Sequence, residues 1–205
     1  MLEESYQIFI TAFIIGFSAG ISPGVLFALI LSESLQHGAK AGIKIAIAPL
    51  ITDVPIVLLC YYIFKQMAQV KILLIIITFS GGLFLVYLGY KNIIATGEVN
   101  LKSVKTNSLR KGVITNFLSP SPYVFWMSIG APLLGSAFGI NVTTGIIFLI
   151  IFYTLLIGLK ITIAILASKA RRFVGGKAYK IVIRLLGFVL AGLGLFYIYN
   201  GFVNL

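Results

Sequence analysis

Six apolar stretches, each long enough to cross a bilayer, constrain this chain more than any other feature. They run over residues 6–31, 41–64, 71–95, 111–136, 142–167 and 180–203. A bilayer core of ~30 Å takes about 20 apolar residues of helix, so each stretch reads as a spanning helix. The rest of the chain offers no way around lipid. Its residues are 60% hydrophobic and 10% charged, where a soluble domain carries about 25% charged residues. Too little polar material remains to cover a water-facing surface. The expected fold is therefore all-α and polytopic, a single transmembrane domain over residues 1–205. Glu3 and Glu4 stand where a secretory leader would carry basic residues, so the first stretch is expected to be a permanent span.

The loops set the orientation. Of the 16 Lys and Arg residues, all but Lys65, Lys71 and Lys160 lie in or beside the gaps that follow spans one, three and five. Lys/Arg-rich loops stay in the cytoplasm, which predicts both termini on the opposite side. The same distribution answers the net charge of +11. Once the spans are placed no basic face remains, so nucleic acid is not an expected partner. The loop 96–110 divides the chain into 1–95 and 111–205, with three spans in each part. An odd number of spans makes the two parts enter the membrane in opposite directions, the arithmetic of an inverted repeat common among transporters. Each part also carries a proline motif near its start: Gly20-Ile21-Ser22-Pro23-Gly24 in the first and Asn116-Phe117-Leu118-Ser119-Pro120-Ser121-Pro122 in the second.

Residues that are expensive in lipid mark the candidate site. Asp53 is the one acidic residue well inside a span. A buried carboxylate there costs ~3 kcal/mol or more on insertion scales and could exchange a proton. Lys160 is the one basic residue deep in a span, although a lysine can also snorkel to the interface. Proline removes a backbone donor and clashes with the preceding turn. Pro23–Gly24 and Ser119–Pro120 are thus candidate helix breaks, tolerated only against protein or a wet cavity. A helix N-terminus freed there would favour an anionic group. Pro49 shares a helix face with Asp53, and Pro55 follows it. At 1.5 Å per residue, Asp53, Lys160, Pro23 and Pro120 lie roughly 18, 10, 12 and 14 Å from the cytoplasmic ends of their spans. These four features from four helices form one layer, in which an Asp53–Lys160 pair could form.

The remaining signals read mainly as packing. Gly16 and Gly20 form a GxxxG pair that lets helices approach closely, within the chain or across a homodimer face. Gly81, Gly82, Gly89, Gly187, Gly192 and Gly194 continue the pattern. Tyr87, Tyr90, Tyr197 and Tyr199 sit near span ends, where tyrosines anchor to the interface. Cys60 reads as a small packing residue and His37 as a solvated loop residue. No cofactor is expected. There is no Cys/His cluster for a metal, no Walker-type phosphate loop, and no histidine in any span to activate Ser22, Ser119 or Ser121. Enzyme chemistry is not expected, and active transport would draw on an ion gradient.

Four segments carry a likeness to a known family: GFSAGISPG (16–24), APLITDVP (48–55), GGLFLVYLGYKN (81–92) and KGVITNFLSPSPYVFW (111–126). With six short spans in about 200 residues, the chain resembles the LysE/RhtB amino-acid exporters along essentially its full length. By position, Gly20, Pro23 and Gly24 match the family's first motif. Asp53 matches its span-two aspartate, and Asn116 and Pro120 match its span-four motif. Ser119-Pro120-Ser121 stands where the family often has Asn-Pro-Lys, and Thr52 where it usually has glycine, which look like marks of a divergent subgroup. The resemblance implies a proton-coupled secondary transporter in the cell membrane, exporting amino acids or similar small zwitterionic solutes. A divalent-cation exporter, which the likeness to related superfamilies implies, stands as an alternative, although one intramembrane Asp without a His or Cys partner makes a poor cage; a membrane enzyme and a structural assembly subunit are the others.

Overall fold

The computed structural model describes residues 2–63, 67–94, 107–170 and 176–203. Every regular element among the described residues is helical. In chain order they are α1 (Leu2–Ile21), α2 (Val25–His37), α3 (Ala39–Ala46), α4 (Ala48–Ile63), α5 (Met67–Ile93), α6 (Ser108–Phe117), α7 (Pro120–Phe125), a π-helical turn (Trp126–Gly130), α8 (Ala131–Ile140), α9 (Val142–Ala170) and α10 (Gly176–Val203). Six stretches have the length and hydropathy of membrane spans: Glu3–Ile21, Ala39–Cys60, Ile75–Ile93, Pro120–Ile140, Val142–Ala170 and Lys180–Val203. Of the loop expected over 96–110, residues 96–106 lie outside the described residues, and 108–110 already belong to α6.

Two of the expected spans are corrected. The stretch 6–31 is two helices, α1 and α2, separated at Ser22-Pro23-Gly24. Pro23 cannot donate a backbone bond, and Gly24 is extended (φ −163°, ψ −167°), so the helix stops and restarts. The fourth span does not begin at residue 111. Helix α6, which carries Arg110, Lys111 and Asn116, ends at Phe117, and the span starts afresh at Pro120. Pro120 occupies the first helical position, where its missing donor costs nothing. Pro49 sits equally harmlessly in the first turn of α4, and Pro55 lies inside α4 without ending it. Of the prolines in question, only Pro23 and Pro120 stand at breaks.

The turn from α2 into α3 hangs on Gly38. Its backbone (φ 86°, ψ 174°) lies in a region essentially reserved for glycine, so the chain reverses there in one residue. Glycines also set two tight helix pairs. A Cβ on Gly82 would stand 2.7 Å from the Gly194 carbonyl oxygen, and one on Gly89 2.6 Å from that of Gly187, which brings α5 against α10. A Cβ on Gly16 would stand 2.9 Å from the Phe152 carbonyl oxygen. The GxxxG edge of α1 is thus covered by α9 of the same chain. Gly192 has open space around it and belongs to neither contact.

Large apolar side chains point outward along the spans, among them Phe13, Leu58, Leu83, Phe188 and Phe196, the surface that lipid requires. Tyr87, Tyr90 and Tyr199 are exposed as anchors should be. Tyr197 is not one of them, since it is half-buried with its hydroxyl 3.4 Å from Ser119 Oγ. Cys60 is buried in an apolar cluster with Ile56, Ile77 and Trp126. His37 is corrected as well. It is the last residue of α2, with Nδ1 3.3 Å from Glu33 Oε2.

Candidate functional site

Breaking α1 at Ile21 leaves the last carbonyls of the helix without intrahelical donors. Lys160 of α9 supplies them, its Nζ lying 3.1 Å from the Ala19 carbonyl oxygen and 3.4 Å from that of Gly20. A cation at a helix C-terminus also meets the negative end of the helix dipole. Lys160 therefore does not snorkel; it is buried, and the broken span is the reason. On the other side of the break, α2 opens with the free amides of its first turn. The N-cap residue, Gly24, gives them no side-chain cap, and the residues that carry them, Val25, Leu26 and Phe27, line a cavity. That end is electropositive.

Asp53 is held by a separate set of groups. Tyr153 of α9 donates its hydroxyl to Oδ2 at 3.1 Å. Asn116, at the end of α6, places Nδ2 3.4 Å from Oδ1 and 2.6 Å from Thr52 Oγ1. Thr52 Oγ1 is 3.5 Å from Oδ1 and 3.1 Å from the Ala48 carbonyl, so its single proton favours the backbone. The Trp126 side chain also turns toward the carboxylate. Donors surround the group on all these elements, as an ionised carboxylate requires. No lysine, arginine or histidine among the described residues lies within ion-pair distance of it. Asp53 and Lys160 are thus unpaired with each other. Tyr153 and Lys160 stand seven residues apart on α9, ~10 Å along its axis, so the two charged groups occupy successive levels of one helix face.

Both charges line the same cavity of about 430 Å³, within the ~300–1,000 Å³ usual for small-molecule sites. Pro23, Gly24, Pro49, Asn116 and Ser119 line it too. Gly20 does not; it contributes its carbonyl to Lys160 and otherwise packs on Leu155 and Leu159. Pro120 faces a neighbouring cavity of about 660 Å³ between α5, α7 and α10. The rest of the central cavity is mostly apolar, with an aromatic end in which Phe125 stacks on Phe152 (ring centroids 5.4 Å apart) and Trp126 meets Phe152 edge-on. The π-helical turn at Trp126–Gly130 follows directly, a distortion frequent at functional sites.

Toward the Lys/Arg-rich end of the bundle, α2 leaves the cavity and enters a packed layer of Ala28, Leu29, Ile30, Ile45, Leu85, Leu88 and Leu190. Beyond it lies a polar junction absent from the sequence reading. Glu33, outside the six spans and 3% exposed, receives Ser108 Oγ at 2.7 Å and pairs with Lys111, both on α6. Burial pushes this carboxyl up, but His37, Lys111 and Ser108 together outweigh it and hold the group at about 2. Asn92 of α5 and Gln36 share Ser32 Oγ, each at 2.7 Å, tying α2 to α5 as well.

The sequence reading missed Tyr153, Trp126, Thr52 and Glu33. A tyrosine and the single tryptophan far from any span end were available signals, since neither suits an interface anchor there. Glu33 lay two residues beyond an assigned span end and so escaped the cost argument.

The family model described as LysE type translocator matches residues 17–201, from within α1 almost to the end of α10. No curated protein and no solved structure matches the chain. The matched region contains both helix breaks, the buried charges and, apart from Ile15, the described lining of the cavity. This chain belongs to the LysE type translocator family and is a multi-pass membrane transporter.

Proposed function

We propose that the protein exports amino acids or similar small zwitterionic solutes across the cell membrane, coupled to the proton gradient. One observation carries the reading: a buried carboxylate and a buried ammonium line one cavity without pairing with each other. A zwitterion complements both. Its ammonium would meet Asp53, and its carboxylate would meet Lys160 and the uncapped amides at the start of α2. A proton would compete with the ammonium at Asp53, which is the minimal logic of antiport. Asn116 and Tyr153 would orient the carboxylate, and Ser119 would contribute a hydroxyl at the second break. The divalent-cation alternative has weaker support. Asp53 is surrounded by hydrogen-bond donors, and no group of three His, Cys, Asp or Glu residues that could hold a metal ion occurs among the described residues.

The helix pairings support an inverted repeat. α5 packs on α10, α1 on α9, and α6 on α3 and α4. Exchanging α1 with α6, α3–α4 with α9 and α5 with α10 maps the α5–α10 pairing onto itself and the α1–α9 pairing onto that of α6 with α3 and α4. Rocking of one half against the other would then alternate access to the cavity. Lys40, Lys44, Lys91, Lys111 and Lys169 at loop-proximal positions support a cytoplasmic placement of that end, with both termini outside.

The test is efflux from proteoliposomes loaded with a labelled amino-acid mixture, with and without an imposed proton gradient. Gradient-dependent loss of particular amino acids is the expected result. If no amino acid leaves under either condition, the proposal fails.

A further inference from the structure

The two charges of the cavity account for the two charges that every amino acid carries at its backbone. Among the described residues no other charged side chain lines the cavity. A third charge on the cargo, at the end of a lysine or glutamate side chain, would find no partner there. An unpaired charge away from water is strongly disfavoured. What the cavity does offer the cargo's side chain is its aromatic end. Phe125, Trp126, Ile129 and Phe152 line it, and the Phe125–Phe152 stack holds it in shape.

That end is also a partition. Phe125 and Ile129 line both the central cavity and the 660 Å³ cavity beside it, as does Ser121. Among the described residues the second cavity carries no charged one; its lining includes Thr78, Ser128 and Phe196. Ile129 is 45% exposed, so it closes the partition without being locked into a core. The space available to a side chain therefore ends where Phe125 and Ile129 stand, although more space lies directly behind them.

We infer that the cargo's side chain is uncharged and apolar, that it rests against Phe125 and Ile129, and that these two residues set its size limit by closing off the adjoining cavity. This inference rests on the amino-acid reading above. It assigns Phe125 and Ile129 a selectivity role distinct from the charge recognition at Asp53 and Lys160.

The experiment is counterflow in proteoliposomes with a panel of leucine, phenylalanine, tryptophan, lysine and glutamate. It uses the intact chain and the variants Phe125→Leu, Ile129→Ala and Phe125→Ala. The intact protein is expected to move leucine at least tenfold faster than lysine or glutamate. Each variant is expected to raise the tryptophan-to-leucine ratio, by about tenfold for the removal of apolar bulk from a fitted pocket. Phe125→Leu and Ile129→Ala keep the test decisive if Phe125→Ala loses its stacking and fails to fold. Lysine or glutamate moving as fast as leucine would overturn the inference and leave the amino-acid reading standing. An unchanged tryptophan-to-leucine ratio in the folded variants would overturn the partition. Movement of no amino acid at all would instead remove the reading beneath both.

Discussion

Acid should loosen this protein through one residue, and the magnitude can be worked out. Glu33 is buried between α2 and α6 and is held at about 2 by His37, Lys111 and Ser108 despite its burial. In an unfolded chain the same carboxyl titrates near 4.5. A folded value below the unfolded one stabilises the protein fully above the unfolded value. That contribution is lost as the pH falls from 4.5 toward 2. At 1.36 kcal/mol for each pH unit between the two values, the whole contribution is about 3 kcal/mol, and about 2 kcal/mol of it is gone at pH 3. The assay is unfolding in mixed micelles by added denaturing detergent, followed through the fluorescence of the single tryptophan, Trp126, which is 1% exposed. Glu33→Gln is expected to lower stability by about 3 kcal/mol at neutral pH and to flatten the decline between pH 4.5 and 2. Asp53→Asn serves as the comparison that leaves this decline in place. If Glu33→Gln falls off with acid as steeply as the intact chain, the junction is not what the pH loosens.

Asp53→Asn should still fold, because the amide can accept from Tyr153, yet gradient-driven efflux is expected to fall at least tenfold; normal uphill export by this variant would remove Asp53 from coupling. Lys160→Met should raise the KM for efflux by at least tenfold, the loss of a hydrogen bond to a charged group being about 1.5–3 kcal/mol, and an unchanged KM would leave Lys160 only as a cap for α1. Gly89→Val should destabilise the α5–α10 contact by about 1–3 kcal/mol through overpacking, measured by the same unfolding assay. Gly192→Val has open space and is expected to stay within about 0.5 kcal/mol; equal losses in both would contradict the packing argument.

Lipid made much of this protein legible. The cost of a polar group in a bilayer is set almost residue by residue, so the six spans, the basic end and the buried Asp53 and Lys160 could be read from residue type and spacing alone. The breaks at Pro23 and Ser119–Pro120 were legible as candidates for the same reason. Tertiary structure decided what each costly group meets. Pro55 has the same chemistry as Pro23, yet α4 continues through it into Ile56, whereas Pro23 is followed by the extended Gly24. Lys160 could have paired with Asp53; it went to the carbonyls of Ala19 and Gly20 because the broken end of α1 packs on that face of α9. Asp53 found Tyr153, 100 positions away, and Glu33 found Ser108 and Lys111 because α6 packs against α2. Such contacts depend on pairs of distant residues brought together by packing, and single-residue costs carry no information about them.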